Sequence, residues 1–326
     1  MIAVVVPCYR VRKQILGVLG AIGSECAAIY VVDDACPEGS GELVEAECND
    51  PRVRVLRNAS NQGVGGATLT GYRAALADGA DIIVKLDGDG QMDPSWIPRL
   101  VRPILDSEAD YTKGNRFFDL DTLRAMPTVR VIGNSLLSFA SKLSSGYWNL
   151  FDPTNGFTAL HAAVALRLPL DKVSRGWFFE SDLLFRLGAL RAVVMDLPMP
   201  AIYGDQESSL VVRRVIGEFA RRHAVNTAKR IFYNYYLRSF NIASIEIALG
   251  AASLLFGVAF GGYHWVLGTT TGSLSSSGTV MLAALPVIVG VQLVLAFLSY
   301  DLQNVPTQVL HRKLDGHTGV SPDPQK

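Results

Sequence analysis

The sequence lacks any excess of charge and contains few cysteines. Its 30 Lys and Arg balance its 30 Asp and Glu, so the formal net charge is zero. Proteins that bind nucleic acid through their surface charge carry a basic excess, and we therefore expect no nucleic-acid partner. The four cysteines, Cys8, Cys26, Cys36 and Cys48, do not have the paired spacing of a metal site. We expect them to be reduced thiols.

Lys and Arg are missing from Asn241 to Leu310, where two long apolar runs lie. The run 242–265 contains Glu246 as its only charged residue, and the run 278–300 contains none. About 20 apolar residues are enough for a helix to cross a hydrocarbon core of roughly 30 Å. A linker rich in Gly, Ser and Thr (268–278) joins the runs, so the pattern predicts a transmembrane helical hairpin. Two buried helices of a soluble domain are the alternative.

Basic residues flank the predicted hairpin on both outer sides, whereas the short linker has none. Positively charged flanks stay in the cytosol, so both termini and the large N-terminal part are expected to be cytosolic. The chain is then a multi-pass protein of the cell (inner) membrane. The flanking basic residues are Arg213, Arg214, Arg221, Arg222, Lys229, Arg230, Arg238, Arg312 and Lys313.

The segment 211–240 interleaves the first seven of these basic residues, Arg213 to Arg238, with Val, Ile, Phe and Tyr. This composition is typical of amphipathic helices that lie on an anionic membrane surface. We therefore expect juxtamembrane helices in contact with membrane lipid, with a solvated helix of the soluble part as the alternative. The predicted organisation is a cytosolic domain (1–210), juxtamembrane helices (211–240), the transmembrane hairpin (241–310) and a cytosolic tail (311–326).

The first 210 residues alternate between strand and helix patterns. Apolar, β-branched runs predict strands at 2–7, 28–36, 52–58 and 81–90, with helices between them at 11–25 and 65–80. The later part predicts shorter strands near 109–116, 156–161 and 191–197, and helices at 129–145 and 179–190. This order favours an α/β fold with a mostly parallel sheet covered on both faces.

Polar clusters lie at the carboxyl ends of three of these strands: Pro7-Cys8-Tyr9, Asp33-Asp34 and Asp87-Gly88-Asp89. The carboxyl ends of parallel strands meet at one edge, where such sheets bind ligands. Asp33 and Asp34 could accept hydrogen bonds from a base or ribose, with a local turn as the alternative. The glycine-rich stretch RNASNQGVGGA (57–67) precedes a helix and could lie near phosphate or ribose.

The stretch IIVKLDGDGQMDP (82–94) ends a predicted strand in several carboxylates. Asp87, Asp89 and Gln91 are spaced by two, so in an extended segment their side chains project in similar directions. Such hard oxygen ligands suit Mg²⁺ or Mn²⁺ and leave positions for substrate phosphates. A solvated turn is the alternative, and Asp93 and Pro94 are assigned to the following turn.

Taken in order, VVVPCYR, VVDDACPEGS, RNASNQGVGGA and KLDGDGQMDP resemble the nucleotide-sugar-binding half of glycosyltransferase family 2. That resemblance implies the GT-A (nucleotide-diphospho-sugar transferase) fold. The later half resembles the polyprenyl-phosphate glycosyltransferases of the family, the dolichyl-phosphate mannose synthase-like enzymes, whose bacterial members often have two C-terminal transmembrane helices.

On the donor side, the resemblance assigns the family's D-x-D-x-Q motif to Asp87, Asp89 and Gln91, which would bind Mg²⁺ or Mn²⁺. Asp89 is also placed among the catalytic residues. The nucleotide would contact Pro7, Tyr9, Asp33, Asp34, Gly63, Asp87 and Gly88. One departure concerns Arg10, which stands where the family usually has an acid.

On the acceptor side, the resemblance implies that arginines bind the phosphates of donor and acceptor. Bidentate pairing of arginine with phosphate is a sound physical reason for such a role. The catalytic set would then include Arg116, Arg130 and Asp182. Acceptor or phosphate contacts would come from Arg116, Arg130, Asn134, Asn155, Gly156, Glu180 and Ser208. A second departure is that the family's Gly-x-Ser-Lys segment is replaced by Ser208 and Ser209, with Arg213 or Arg214 as substitutes for the basic residue.

The predicted function is inverting transfer of a sugar from a UDP- or GDP-linked donor to a polyprenyl phosphate, undecaprenyl or dolichyl phosphate. A family-2 enzyme that glycosylates a lipid or polysaccharide hydroxyl is one alternative. A non-catalytic, membrane-anchored scaffold that binds nucleotide-sugar is another. The hairpin could also assemble the chain into a homo-oligomer.

Overall fold

The computed structural model describes residues 1–118, 128–200 and 212–315, without the side chains of 128–130, 212–215 and 315. The chain divides into two compact units. The first contains residues 1–227 together with the segment from Pro306 onward, and the second contains Ala228–Val305.

A seven-stranded sheet forms the centre of the first unit. Its strand order is β3-β2-β1-β4-β6-β5-β7. All the pairs between β1, β2, β3 and β4 are parallel, as is β5 with β7, and only β6 runs antiparallel to its neighbours. The predicted mostly parallel sheet is confirmed. The strands are β1 Ile2–Cys8, β2 Ala28–Asp33, β3 Val53–Arg57, β4 Ile82–Lys85, β5 Tyr111–Asn115, β6 Thr158–His161 and β7 Val194–Pro198.

The burial of each strand follows its sequence. The strands β1 and β2 are apolar and buried along almost their whole length, as expected of central parallel strands covered on both faces. At the edge of the sheet, β3 alternates half-buried apolar residues with exposed arginines, Arg54 and Arg57. In the register, Cys8 pairs with Asp33 and Val5 with Lys85. The residues that follow β1, β2 and β4 therefore lie along one edge.

Helices connect and cover these strands. The first is shorter than the predicted 11–25, because residues 12–14 form a turn and Arg10 adopts a positive φ of 58° where the chain leaves β1. The α-helices before residue 200 are α1 Ile15–Gly20, α2 Ser40–Glu47, α3 Gly63–Ala77, α4 Ile97–Leu105, α5 Thr128–Ser145, α6 Ala162–Ala165 and α7 Phe179–Leu190. A further helix, α8 Val212–Phe232, continues into a π-helix at Tyr233–Arg238.

Two long apolar helices make up most of the second unit: α9 Ile242–Thr271 and α10 Ser277–Gln303. Their mean hydropathies are 1.9 and 2.5, and both are long enough to cross a membrane. Only 22% and 11% of their most apolar windows are buried, unlike the core helices of a soluble protein. The helices extend beyond the predicted runs, so the connecting segment shortens to residues 272–276. They fit the predicted hairpin.

Small residues allow the two helices to approach closely. A Cβ atom on Gly290 would lie 2.9 Å from the carbonyl oxygen of Gly250, and one on Gly257 would lie 2.8 Å from that of Ala283. Close backbone approach at glycine is a usual way for apolar helices to associate in lipid. At the end of α10, Asp301 forms a buried bidentate ion pair with Arg230 at 2.7 and 2.9 Å.

The segment after α10 returns to the first unit. The helix α11, Leu310–Asp315, begins there. The backbone N–H groups of Leu310 and His311 each donate to the buried carboxylate of Asp110, at 2.8 Å. The His311 ring stacks on His161 with centroids 4.1 Å apart. The chain on both sides of the apolar helices therefore belongs to one compact unit.

Candidate active site

Asp33 and Asp34 hold the loops that leave the edge of the sheet. Asp33 is buried and accepts from the backbone N–H of Cys36 at 2.7 Å and of Gly41 at 2.9 Å. Its carboxylate therefore fixes the loop that leads into α2. A nucleotide contact by Asp33 stays a prediction, and it would use lone pairs that these two hydrogen bonds leave available.

The buried Asp34 carboxylate ties down the glycine-rich stretch. It accepts from the backbone N–H of Gln62 and of Gly63, the latter at 2.8 Å, and from the Asn58 side chain at 2.7 Å. The groups at Gln62 and Gly63 start α3, so Asp34 satisfies donors at a helix N-terminus and interacts favourably with its dipole. The predicted nucleotide role of Asp34 remains to be tested.

Glycine is needed where α3 begins. Gly63 has a φ of +81°, and a Cβ there would lie 2.8 Å from the carbonyl oxygen of Arg175. A Cβ on Gly65 would lie 2.6 Å from the carbonyl oxygen of Ser174. The N–H of Gly66 donates to the Arg175 carbonyl at 2.9 Å. The glycine-rich stretch thus packs on the segment before α7. The helix α7 carries Glu180, one of the predicted acceptor residues.

Residues at the end of β1 and just after it differ in their exposure. Pro7 is buried, whereas Tyr9 is 40% exposed. The Arg10 guanidinium lies 5.4 Å from the centre of the Tyr9 ring. An aromatic ring with a cation beside it is well suited to stack on a base and to face an anionic ligand. The departure at Arg10 therefore adds positive charge to this edge.

Lys85 is the principal residue that the sequence analysis did not single out. It ends β4, its side chain is completely buried, and its ammonium lies 2.7 Å from Asp87 Oδ1 and 3.2 Å from Glu180 Oε1. Burial alone would lower the pKa of Lys85, but the charges of Asp87 and Glu180 raise it above its usual value. A lysine at the end of an otherwise apolar strand was the available signal.

Glu180 and Gly156 complete this cluster, and both were predicted on the acceptor side. Burial raises the pKa of Glu180, which Lys85 partly offsets. A Cβ on Gly156 would lie 2.5 Å from Asp87 Oδ2, so only glycine fits there without displacing the pair. The structure therefore brings Asp87, Gly156 and Glu180 together.

Asp89 and Gln91 lie beyond this cluster. Asp89 Oδ1 accepts from the backbone N–H of Gln91 at 3.0 Å. Burial raises the pKa of Asp89, and a hydrogen bond from Gln91 only partly counteracts it. A carboxylate that burial makes harder to ionise would be stabilised by a bound cation. The Asp87 and Asp89 carboxylates and the Gln91 amide are hard oxygen donors and fit Mg²⁺ or Mn²⁺. No cluster of three or more His, Cys, Asp or Glu suited to a metal occurs among the described residues, so substrate phosphates and water would have to complete the shell.

Arg116 is held by a second buried carboxylate. Its Nε and Nη2 donate to the two oxygens of Asp152 at 2.9 and 3.1 Å, and it is 31% exposed while Asp152 is fully buried. Burial alone would raise the pKa of Asp152, but hydrogen bonds and charge from Arg116 bring it below its usual value. Asp152 thereby orients Arg116. The position of Asp152 in the sequence DPTNGF (152–157) did not indicate that this residue orients an arginine.

Other acceptor-side predictions have different outcomes. Asn155 is buried, and its Oδ1 accepts from Phe157 N–H at 2.9 Å, which stabilises the turn before β6. Asn134 is half-buried on α5. Arg130 lies in the first turn of α5, and its side chain is outside the described residues, as are those of Arg213 and Arg214. Ser208 and Ser209 lie outside the described residues altogether.

Asp182 is in a different environment from Glu180. Its Oδ2 accepts from Ser174 N–H at 2.9 Å and from Arg186 Nε at 3.0 Å, and its Oδ1 accepts from Asn226 at 3.3 Å. These bonds anchor the segment before α7 through Ser174 and the helix α8 through Asn226. The predicted catalytic role of Asp182 is untested, but its carboxylate is occupied by structural partners.

The chain matches known glycosyltransferases over the part that carries this edge. The model of glycosyl transferase family 2 matches residues 3–168. The undecaprenyl-phosphate mannosyltransferase of Micrococcus luteus is 29% identical over 218 residues, 66% of this chain and 88% of that protein. The polyprenol monophosphomannose synthase of Mycolicibacterium smegmatis is 31% identical over 188 residues, 56% of this chain and 70% of that protein.

A solved structure supports the fold. Glucosyl-3-phosphoglycerate synthase from Mycobacterium tuberculosis, in complex with Mn²⁺, UDP and phosphoglyceric acid, superposes with a TM-score of 0.53 at 17% identity. The alignment covers 71% of this chain and 78% of that one. The likeness confirms the GT-A fold. The matched residues 3–168 include the acidic pairs after β2 and β4 as well as Arg116, and the chain therefore belongs to glycosyltransferase family 2.

Proposed function

We propose that this enzyme transfers a sugar from a UDP- or GDP-linked donor to a polyprenyl phosphate, with inversion at the anomeric carbon. The observation that carries the proposal is that the first unit contains both the Lys85–Asp87–Glu180 cluster and an arginine, Arg116, that a buried carboxylate orients. One part supplies carboxylates for the donor and the other a guanidinium for a phosphate. Relatives named for transfer to polyprenyl phosphates support the acceptor class.

The donor would lie along the edge formed by the ends of β1, β2 and β4. Tyr9 and Arg10 would face the nucleotide, and the loops that Asp33 and Asp34 hold would shape its binding site. Asp87, Asp89 and Gln91 would hold Mg²⁺ or Mn²⁺, which when bound offsets the charge of the departing nucleoside diphosphate. These residues would thus fix the donor's diphosphate.

The acceptor chemistry explains why Asp182 can serve a structural role. A phosphate monoester has a second pKa of about 6, so a lipid phosphate is largely ionised at neutral pH and can attack without a strong general base. Arg116, held by Asp152, would bind a phosphate through a preset guanidinium. Asp182 would then position the segment before α7 and take no proton.

The contact between Asp110 and the segment after α10 supports a double crossing of the membrane. If α9 and α10 both cross, the chain returns to its starting side and His311 can reach Asp110. With a single crossing, the two residues would lie on opposite sides. An impermeant thiol reagent should label Ser275→Cys in the connecting segment from outside intact cells, and no labelling would contradict this topology.

The function is tested with membranes that contain the wild-type chain. They are incubated with labelled UDP- and GDP-sugars and, in separate reactions, with undecaprenyl phosphate, dolichyl phosphate or the matching polyprenols. We expect label in the extracted lipid only with a phosphate acceptor, and loss of transfer when EDTA removes divalent cations. Transfer to the polyprenol would favour a hydroxyl acceptor. Binding of donor without transfer to any acceptor would favour a scaffold.

A further inference from the structure

Lys85 has an unusual place in the sheet. Its side chain is completely buried, and the ammonium contacts Asp87, Glu180 and, at 3.4 Å, the carbonyl oxygen of Gly156. A buried ammonium is strongly unfavourable unless nearby charges and hydrogen bonds compensate it. Here two carboxylates do so. Lys85 has no exposed surface with which to touch a substrate.

The partners of Lys85 come from three separate parts of the chain. Asp87 follows β4, Gly156 precedes β6, and Glu180 lies in the first turn of α7. Asp87 belongs to the predicted donor and metal residues, whereas Gly156 and Glu180 belong to the predicted acceptor side. The Lys85 ammonium therefore links the two halves of the candidate site.

Lys85 also supplies the positive charge between two of these carboxylates, Asp87 and Glu180. Without Lys85, Asp87 and Glu180 would repel each other, and Asp87 would lose the partner that fixes its Oδ1.

We propose that Lys85 is a positioning residue that fixes Asp87 toward the metal–nucleotide site and joins it to Glu180 on the acceptor side. This inference rests on the proposed function, because it assumes that Asp87 acts on a metal-bound nucleotide. Lys85 acts only through these partners.

The alternative is that Lys85 merely stabilises the sheet. The chain offers a matched control in Lys113, a lysine on β5 with 1% exposure whose ammonium lies 2.9 Å from Asp196. Both lysines are buried strand residues with carboxylate partners, but Lys113 does not pair with the predicted metal ligands. Replacing either with Met removes a charge and keeps much of the side-chain volume.

The experiment measures binding of UDP and of GDP, each with Mn²⁺, to the purified full-length protein in detergent. Titration calorimetry gives the nucleotide affinity, and electron paramagnetic resonance of free Mn²⁺ gives the metal affinity. Thermal unfolding is followed in parallel. We expect Lys85→Met and Lys113→Met both to lower the Tm, and only Lys85→Met to weaken nucleotide–Mn²⁺ binding, by roughly tenfold or more. Equal weakening in the two variants, or unchanged binding in Lys85→Met, would overturn the proposal.

A double variant separates positioning from stability. Lys85→Met/Glu180→Gln removes one charge of each sign, so we expect its Tm to recover toward wild type while nucleotide–Mn²⁺ binding stays weak. Recovery of binding together with Tm would overturn the positioning role. Unfolding of both Lys85 variants while Lys113→Met folds would make Lys85 a folding residue and also overturn it. Failure of the wild-type protein to bind UDP or GDP with Mn²⁺ would instead contradict the proposed function.

Discussion

The acidic pair at the end of β2 and the acidic pair after β4 look alike in the sequence, but the structure places them in different surroundings. Asp33 and Asp34 accept hydrogen bonds mainly from neutral backbone N–H groups of the loops that follow them. Asp87 instead pairs with a buried lysine that it shares with Glu180. The Asp89 carboxylate accepts from the N–H of Gln91 and is disfavoured by burial.

We use this difference to distinguish acids that organise loops from acids that are proposed to bind a ligand. A carboxylate surrounded by backbone N–H groups is stabilised within the protein and organises a loop. A group of carboxylates with too little positive charge around it is stabilised further by a cation. We therefore expect substitutions in the first pair to change mainly stability and substitutions in the second pair to change mainly metal binding and transfer.

The largest expected effect is that of Asp89→Asn. The change keeps the size of the side chain and removes one of the charges proposed to hold the metal, so transfer to polyprenyl phosphate should fall by roughly a hundredfold or more. Its Tm should stay near that of wild type or rise, because burial disfavours the charge of Asp89. Radiolabelled lipid product and thermal unfolding give the two readouts.

Asp93→Asn is the matched control for this change. Asp93 lies in the same stretch and accepts from Ser95 N–H at 2.9 Å in the following turn. Its transfer rate should stay within about twofold of wild type, since a helix-capping Asn replaces Asp at little cost. A similar loss in Asp89→Asn and Asp93→Asn would remove the distinction between ligand and turn.

Gly156→Ala should have the next largest effect. The added Cβ would lie 2.5 Å from Asp87 Oδ2, which forces the Lys85–Asp87 pair to move. We expect transfer to fall by roughly tenfold or more, in line with the sensitivity of active sites to small displacements. Gly133→Ala on α5 is the control, because no other described part of the chain comes within 4 Å of a Cβ at that position. Helix propensity should stabilise that variant by up to about 1 kcal/mol. Unchanged transfer in Gly156→Ala would show that the pair tolerates displacement.

Asp34→Ala tests the first pair. Removal of the buried carboxylate leaves the N–H groups of Gln62 and Gly63 without this acceptor. The unfolding free energy should fall by about 1–3 kcal/mol. It is measured by denaturant unfolding in detergent, followed through a signal from the first unit. Asp34→Asn keeps one acceptor oxygen and should lose less. If Asp34→Ala kept wild-type stability and lost only nucleotide binding, the two acidic pairs would not differ in the way described.

The sequence predicted the parts of the fold that depend on local pattern. Period and composition were enough to find the strands β1, β2 and β4 and the helices α3 and α7. The parallel topology was enough to predict that the acids at the strand ends share one edge of the sheet. The length of α1 was wrong because the turn at Arg10 depends on how the chain leaves β1. The two apolar helices were found, but their ends were placed too early because each helix continues past its apolar run into polar residues, GTTT at the end of α9 and DLQ at the end of α10.

Side-chain partners were beyond the sequence because they join distant segments. Lys85 and Glu180 are 95 positions apart, and Arg116 and Asp152 are brought together only by the turn before β6. Glu180 and Asp182 belong to one motif, yet their positions on α7 point them toward Lys85 and toward Arg186. Two residues apart on a helix do not share a face, so one motif supplied one acid to the site and one to the scaffold.

The smallest expected effect is the contribution of His223 to the pH dependence of stability. This contribution must be known before the acid sensitivity of the protein can be assigned to either acidic pair. Burial lowers the pKa of His223, on α8, to about 4, while its unfolded-state pKa is about 6.5. The unfolded chain then binds the proton first, so stability falls as pH decreases below about 6.5 and this loss ends near pH 4.

His223→Gln tests this contribution, because its side chain cannot be protonated in this range. Between about pH 7 and about pH 5.5 the wild-type chain should lose about 1 kcal/mol of unfolding free energy through His223, and the variant should lose less by that amount. The Ser144 hydroxyl, 2.8 Å from Nδ1, would keep a polar neighbour. Parallel pH profiles of the two proteins would assign the acid sensitivity to the carboxylates. The carboxylates include Asp33 and Asp34, which organise loops, and Asp87 and Asp89, which are proposed to hold a cation. Added Mn²⁺ should then shift only the part of the pH dependence of stability that comes from Asp87 and Asp89.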